Sequence, residues 1–98
     1  MSVAATIRSQ IEIGVLMALG ASDLIYWEDM FEFKARILPK ASAQRARVMR
    51  VQIKLDSNDT YSIEVGYVHK FDWVTHKHFD NVYADNLNQV LIGLDNVS

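Results

Sequence analysis

The sequence predicts an α+β protein: an antiparallel β-meander of three to five strands, with an N-terminal and a C-terminal helix packed on one face. Three observations predict it. Apolar residues recur at helical spacing near both ends of the 98-residue chain, alternate with polar residues through its middle, and are interrupted there by turn formers. Two amphipathic helices flanking a half-buried sheet bury their apolar surfaces most simply as two layers. The length bounds the chain to a single domain, residues 1–98.

The first helix is expected over 3–19. Ser2 offers a cap, and Val3, Ile7, Ile11, Val15 and Ala18 fall on one helical face. Gly20 stands where a helix commonly ends in a left-handed residue. From Ile11 onward the other side is apolar too, through Ile13, Leu16, Met17 and Leu19. A helix apolar nearly all round is buried on more than one face, so a homodimer or partner contact through part of that set is expected.

Strand patterns follow. Leu24–Trp27 reads as a short one. Phe31, Phe33, Ala35 and Ile37 alternate with Glu32, Lys34 and Arg36, and Pro39 ends the run because it cannot donate to a ladder. Val51, Ile53 and Leu55 alternate with Arg50, Gln52 and Lys54, and a turn is expected at Asp56-Ser57-Asn58-Asp59. Tyr61, Ile63, Val65 and Tyr67 then alternate with Ser62, Glu64 and Gly66, and a weaker strand is expected over Phe71–His76. This register buries Phe33, Ile37, Val51, Ile53, Ile63 and Val65 together. The closing helix takes its cap from Asp80 or Asn81 and its apolar stripe from Tyr83, Leu87, Val90, Leu91 and Leu94.

Several functions are disfavoured by what the sequence lacks. There is no cysteine, hence no disulfide framework, thiolate nucleophile or cysteine zinc site. The start MSVAATIRSQ lacks the basic opening of a secretory leader, and the apolar stretch IGVLMALGA falls short of the ~20 residues a bilayer span needs. A cytoplasmic protein with no membrane partner is expected. His69, His76 and His78 are the only histidines; His76 and His78 would share a strand face, where Asp72 or Asp80 could join them on a metal. Three partly exposed histidines near a loop is the preferred reading. The Asp56–Asp59 cluster has Tyr61 and Tyr67 where a calcium loop needs glycine and glutamate, so it reads as a turn. No glycine-rich phosphate cradle and no nucleophile elbow is present, and no cofactor is expected. Phe33, Tyr61 and Tyr67 suggest base stacking, but they share their phase with Ile37, Ile63 and Val65, which favours core packing. A non-enzymatic protein is expected.

Charge supplies the clearest lead. Residues 34–54, KARILPKASAQRARVMRVQIK, carry seven basic residues and no acidic one: Lys34, Arg36, Lys40, Arg45, Arg47, Arg50 and Lys54. The remainder has three basic residues against all twelve acidic ones, a balance of −9 that the net charge of −2 conceals. Lys34, Arg36, Arg50 and Lys54 fall on the polar phase of two adjacent strands, with Lys40, Arg45 and Arg47 in their connection. All seven are expected on the open side of one hairpin, as a partner-binding patch. Discouraging edge-to-edge aggregation, with partial neutralisation by Glu32 and Glu64, is the structural alternative.

The groups Leu19-Gly20-Ala21, Leu38-Pro39-Lys40, Asp59-Thr60-Tyr61 and Val82-Tyr83-Ala84-Asp85 with Leu87 resemble those of a family of short uncharacterised proteins encoded by phages and mobile elements. The resemblance spans roughly residues 11–94. Lys40 stands where the family has arginine, Ile92-Gly93-Leu94 where it has Thr-Gly-Leu, and the segment QRARVMR is more basic than the family pattern. The resemblance implies a mobile-element origin and a helix–sheet–helix order, and it assigns no catalytic residue. Two function classes follow. One is an accessory protein of a phage or mobile element that binds a host or defence protein with an acidic surface, an inhibitor of the anti-CRISPR kind. The other is a nucleic-acid-binding accessory protein using the hairpin 34–54. The first is preferred, because the −9 remainder repels a polyanion and no base-reading motif offsets that.

Overall fold

A computed structural model of the chain describes residues 3–37 and 45–95. The expected cap at Ser2, the stop at Pro39 and the patch residue Lys40 lie outside them. The elements are α1 (Val3–Gln10), α2 (Ile13–Ala18), β1 (Ser22–Tyr26), β2 (Met30–Ile37), β3 (Arg47–Leu55), β4 (Tyr61–His69), β5 (Asp72–Val82) and α3 (Leu87–Ile92), with single 3₁₀ turns at Ala84–Asn86 and Gly93–Asp95. The protein is therefore α+β, and its strands form one antiparallel sheet in the order β1-β2-β3-β4-β5.

The period-two alternation fixes the central register. Phe31, Phe33 and Ala35 pair with Ile53, Val51 and Met49, and Val51 and Ile53 pair in turn with Val65 and Ile63. Side chains directly opposite share a face, so these rows build one buried surface. Phe33, Ile37, Val51, Ile53, Ile63 and Val65 are fully buried, in the same cluster as Ala4, Ile7, Val15, Leu16, Leu87 and Leu91 from the helices. Burying each such side chain contributes about 1.5–3 kcal/mol. Tyr61 is buried in that cluster as well, its hydroxyl donating to Gln10 Oε1 at 2.5 Å.

The N-terminal helix is two helices, not one over 3–19. The chain leaves helical geometry at Ile11–Glu12, and Asn88 of α3 spans the break: the Glu12 N–H donates to Asn88 Oδ1 at 2.7 Å, and Asn88 Nδ2 donates to the Gln10 carbonyl at 2.8 Å. Those bonds replace backbone bonds that a continuous helix would make. The bend lets Ile11, Val15, Leu16 and Leu19 turn inward together, and it leaves Ile13 and Met17 exposed. α2 ends as the sequence indicates. Gly20 has φ +63°, its N–H donates to the Met17 carbonyl, and the Ala21 N–H donates to that of Leu16, a Schellman closure.

Two further expectations are corrected. The last strand is not a short run over Phe71–His76 but the eleven residues Asp72–Val82, with register shifts opposite Tyr61–Ile63 and opposite Val65–Gly66. Each shift breaks the alternation that marks a strand in sequence. Asp80 and Asn81 consequently belong to β5 and do not cap the final helix. Asn86 takes the N-cap position of α3 without a side-chain bond to that helix; its Oδ1 accepts from the Tyr83 N–H at 2.8 Å and so closes the 3₁₀ turn before it, and Tyr83 is exposed where the stripe placed it inside. The turn at Asp56–Asp59 forms as expected: the Asp59 N–H donates to the Asp56 carbonyl, and Asp59 has φ +63°.

Candidate functional site

The β2–β3 hairpin divides the basic patch between two faces. Met30, Glu32, Lys34 and Arg36 pair with Lys54, Gln52, Arg50 and Val48, all on the face opposite the buried rows. Arg47 pairs instead with Ile37, on the phase of Met49 and Val51. It is the first residue of β3, not part of the connection, and its guanidinium lies 3.9 Å above the centre of the Tyr67 ring. The expectation that all seven cations share the open side therefore fails for Arg47. Arg47 lies three residues before Arg50 on the same strand, and an odd step along a strand puts a side chain on the other face.

The charges are not equally free. Lys34 Nζ lies 3.0 Å from Asp23 and Lys54 Nζ 3.9 Å from Asp29, pairs between exposed side chains that contribute little to stability. Among the described residues, Glu32 and Glu64 form no ion pair with the patch. Glu32 accepts from Gln52 Nε2 at 2.8 Å, and Glu64 lies 3.6 Å from His78 Nδ1. Arg36, Arg45, Arg47 and Arg50 are exposed and form no ion pair among the described residues.

The rest of the open face is a polar ledge. His78 Nε2 donates to Asp80 Oδ1 at 2.8 Å, the Ser62 hydroxyl approaches the same oxygen at 3.2 Å, and Ser62 also bonds Asp56. Serine and histidine thus meet on one carboxylate, not on each other. Among the described residues no group of three or more histidine and acidic side chains has a metal-holding arrangement. The Nε2 atom of His76 is buried without a hydrogen-bond partner among the described residues, and desolvation, with the Lys77 charge second, lowers the pKa of His76.

Two features were not visible as site features in the sequence. A cavity of about 550 Å³ opens on this face between β1, β2 and β3, lined by Ile25, Trp27 and Met30 with Glu32, Gln52 and Arg50, and edged by the Asp23–Lys34 pair. Glu32 read only as one polar position among several. The second is the β4–β5 turn, where Phe71 is fully exposed and both Lys70 (φ +50°) and Phe71 (φ +69°) are left-handed. Neither residue is a turn former, so the local sequence hid it. No protein family, curated protein or solved structure matches this chain. Among the described residues, no helix is long and apolar enough to cross a membrane.

Proposed function

We propose that this chain is a small non-enzymatic accessory protein of a phage or mobile element that binds a host or defence protein, in the manner of inhibitors of the anti-CRISPR kind. The observation that carries the reading is the state of the arginines. Internal pairing accounts for Lys34 and Lys54, whereas Arg36, Arg45, Arg47 and Arg50 stay exposed without a carboxylate among the described residues. Arginine's planar fork pairs two-pronged with carboxylates, so the patch suits an acidic protein surface. Arg36 and Arg47 stand on opposite faces at the connection end of the β2–β3 hairpin, so the partner is taken to grip that end rather than one face of the sheet. The resemblance carried by Asp59-Thr60-Tyr61 and Val82-Tyr83-Ala84-Asp85 supports the origin.

Charge reversal tests it. Arg45→Glu with Arg47→Glu is expected to leave the fold nearly intact, because both side chains are exposed and such changes usually cost within about 0.5 kcal/mol. The double reversal also removes the Arg47–Tyr67 stack. Affinity for the partner should fall at least ~10-fold, and wild-type binding should weaken with added salt. Retention of mixed-sequence DNA or RNA at low salt, lost steeply as salt rises, would instead establish the nucleic-acid reading. Unchanged affinity of the double reversal for every partner would sink both.

Self-association belongs to the same proposal. Ile13 and Met17, four residues apart on α2, are 68% and 74% exposed, whereas Leu16 and Leu19 are buried and take no part. Ile13→Glu with Met17→Glu is expected to reduce the sedimenting species to the 11.2 kDa monomer without lowering the melting temperature. A wild-type chain that sediments as a monomer at every concentration removes the homodimer.

A further inference from the structure

The cavity on the open face holds a charged side chain that the fold itself does not explain. Glu32 sits on the face away from the core, yet only 5% of it is exposed. One hydrogen bond, from Gln52, reaches Oε1, and among the described residues no ion pair neutralises the carboxylate. A carboxylate removed from water ordinarily has several donors or a cation beside it. Arg50 lines the same cavity from the neighbouring strand, two residues from Gln52, which is the direct partner of Glu32. That diagonal relation sets the two backbones roughly 7–8 Å apart. The opposite charges nonetheless do not touch. Lys34 and Asp23, at the rim, already satisfy each other at 3.0 Å. What remains is one acceptor and one donor fork, separated across a floor walled by Ile25, Trp27 and Met30.

We propose that this cavity binds a free α-amino acid with an apolar side chain, its ammonium group on Glu32 and its carboxylate on Arg50. The charge pair of the ligand is the mirror of the pair in the cavity. An α-ammonium donates three hydrogen bonds, which suits the unused Oε2 of Glu32, and a carboxylate accepts both prongs of a guanidinium. The apolar side chain lies against Ile25, Trp27 and Met30, and a volume of about 550 Å³ accommodates it with water to spare. The site shares Arg50 and Lys34 with the basic patch but not Arg45 or Arg47, so reversing Arg45 and Arg47 tests the protein-binding reading separately.

The test uses the full chain, ¹⁵N-labelled, titrated with L-leucine and separately with L-phenylalanine. Saturable shifts are expected at the backbone amides of Glu32, Arg50 and Gln52 and at the Trp27 indole, within the millimolar range. N-acetyl-L-leucine, which lacks the ammonium charge, and L-leucinamide, which lacks the carboxylate, should each bind at least ~10-fold more weakly. Glu32→Gln and Arg50→Gln, checked for folding by their amide spectra, should each produce the same loss. The ligand comparison on the wild-type protein decides the matter even if a variant fails to fold. No saturable shift at those residues up to ~10 mM of either amino acid overturns the proposal. So does equal binding of L-leucine, N-acetyl-L-leucine and L-leucinamide.

Discussion

Gly66→Ala is expected to destabilise the protein by about 1–3 kcal/mol, and Gly66→Val by more. Gly66 is buried on β4 beneath the indole of Trp73. A Cβ placed there would meet Trp73 Cζ2 at 2.7 Å and Cε2 at 2.9 Å, with the Val74 carbonyl oxygen closer still. The carbonyl belongs to a strand held by the ladder on β4 and cannot withdraw without disturbing the bulge beside it. For a chain of this size each kcal/mol lowers the melting temperature by roughly 4–8 °C, so thermal and urea melts both read the effect. Removing the ring with Trp73→Ala should recover only part of the loss, since the carbonyl contact remains. Gly14→Ala is the control: nothing lies within 4 Å of its Cβ, and on α2 the change should be neutral or stabilising by up to about 1 kcal/mol. A Gly66→Ala protein that melts with the wild type would show that the Trp73 indole and the Val74 carbonyl do not crowd this position.

The β4–β5 turn should respond in the opposite sense. Replacing Lys70-Phe71 by Asn-Gly is expected to stabilise the fold by about 1–3 kcal/mol. His69 and Asp72 close the hairpin, and both residues between them are left-handed, which costs an ordinary side chain roughly 1–2 kcal/mol each. Asn-Gly occupies that two-residue turn with little strain. Nothing is lost in exchange, because the Phe71 ring is fully exposed and contributes no burial to the core. A fully solvated aromatic residue held in a strained turn is a feature that stability alone does not favour. Equilibrium urea denaturation should show a higher midpoint with an unchanged slope. A lower midpoint would show that Lys70 or Phe71 supports the native state.

Much of the fold is legible in local residue order. The alternation of Phe31, Phe33, Ala35 and Ile37 and of Tyr61, Ile63 and Val65 determined two strands and their inner faces, since side chains along a strand alternate strictly. Gly20 and the Asp56–Asp59 cluster marked the end of a helix and a turn, because each answers a backbone demand of its own few residues. The polarised charge was equally plain, being a property of composition along the chain.

Tertiary structure decided the rest, in each case through groups far apart in sequence. The break at Ile11–Glu12 depends on Asn88, more than seventy residues later, and nothing near Ile11 signals it. β5 is defined by what it pairs with, and its two bulges erase the alternation that would have revealed its length. Pairing with Ile37 draws Arg47 out of the connection and into β3, where alternation sets its face and Tyr67 lies beneath it. The burial of Glu32 in a cavity it shares with Arg50 required β1, β2 and β3 to come together around it. Periodicity states which way a side chain points relative to its neighbours in the chain; what it then meets is fixed only when distant strands pair.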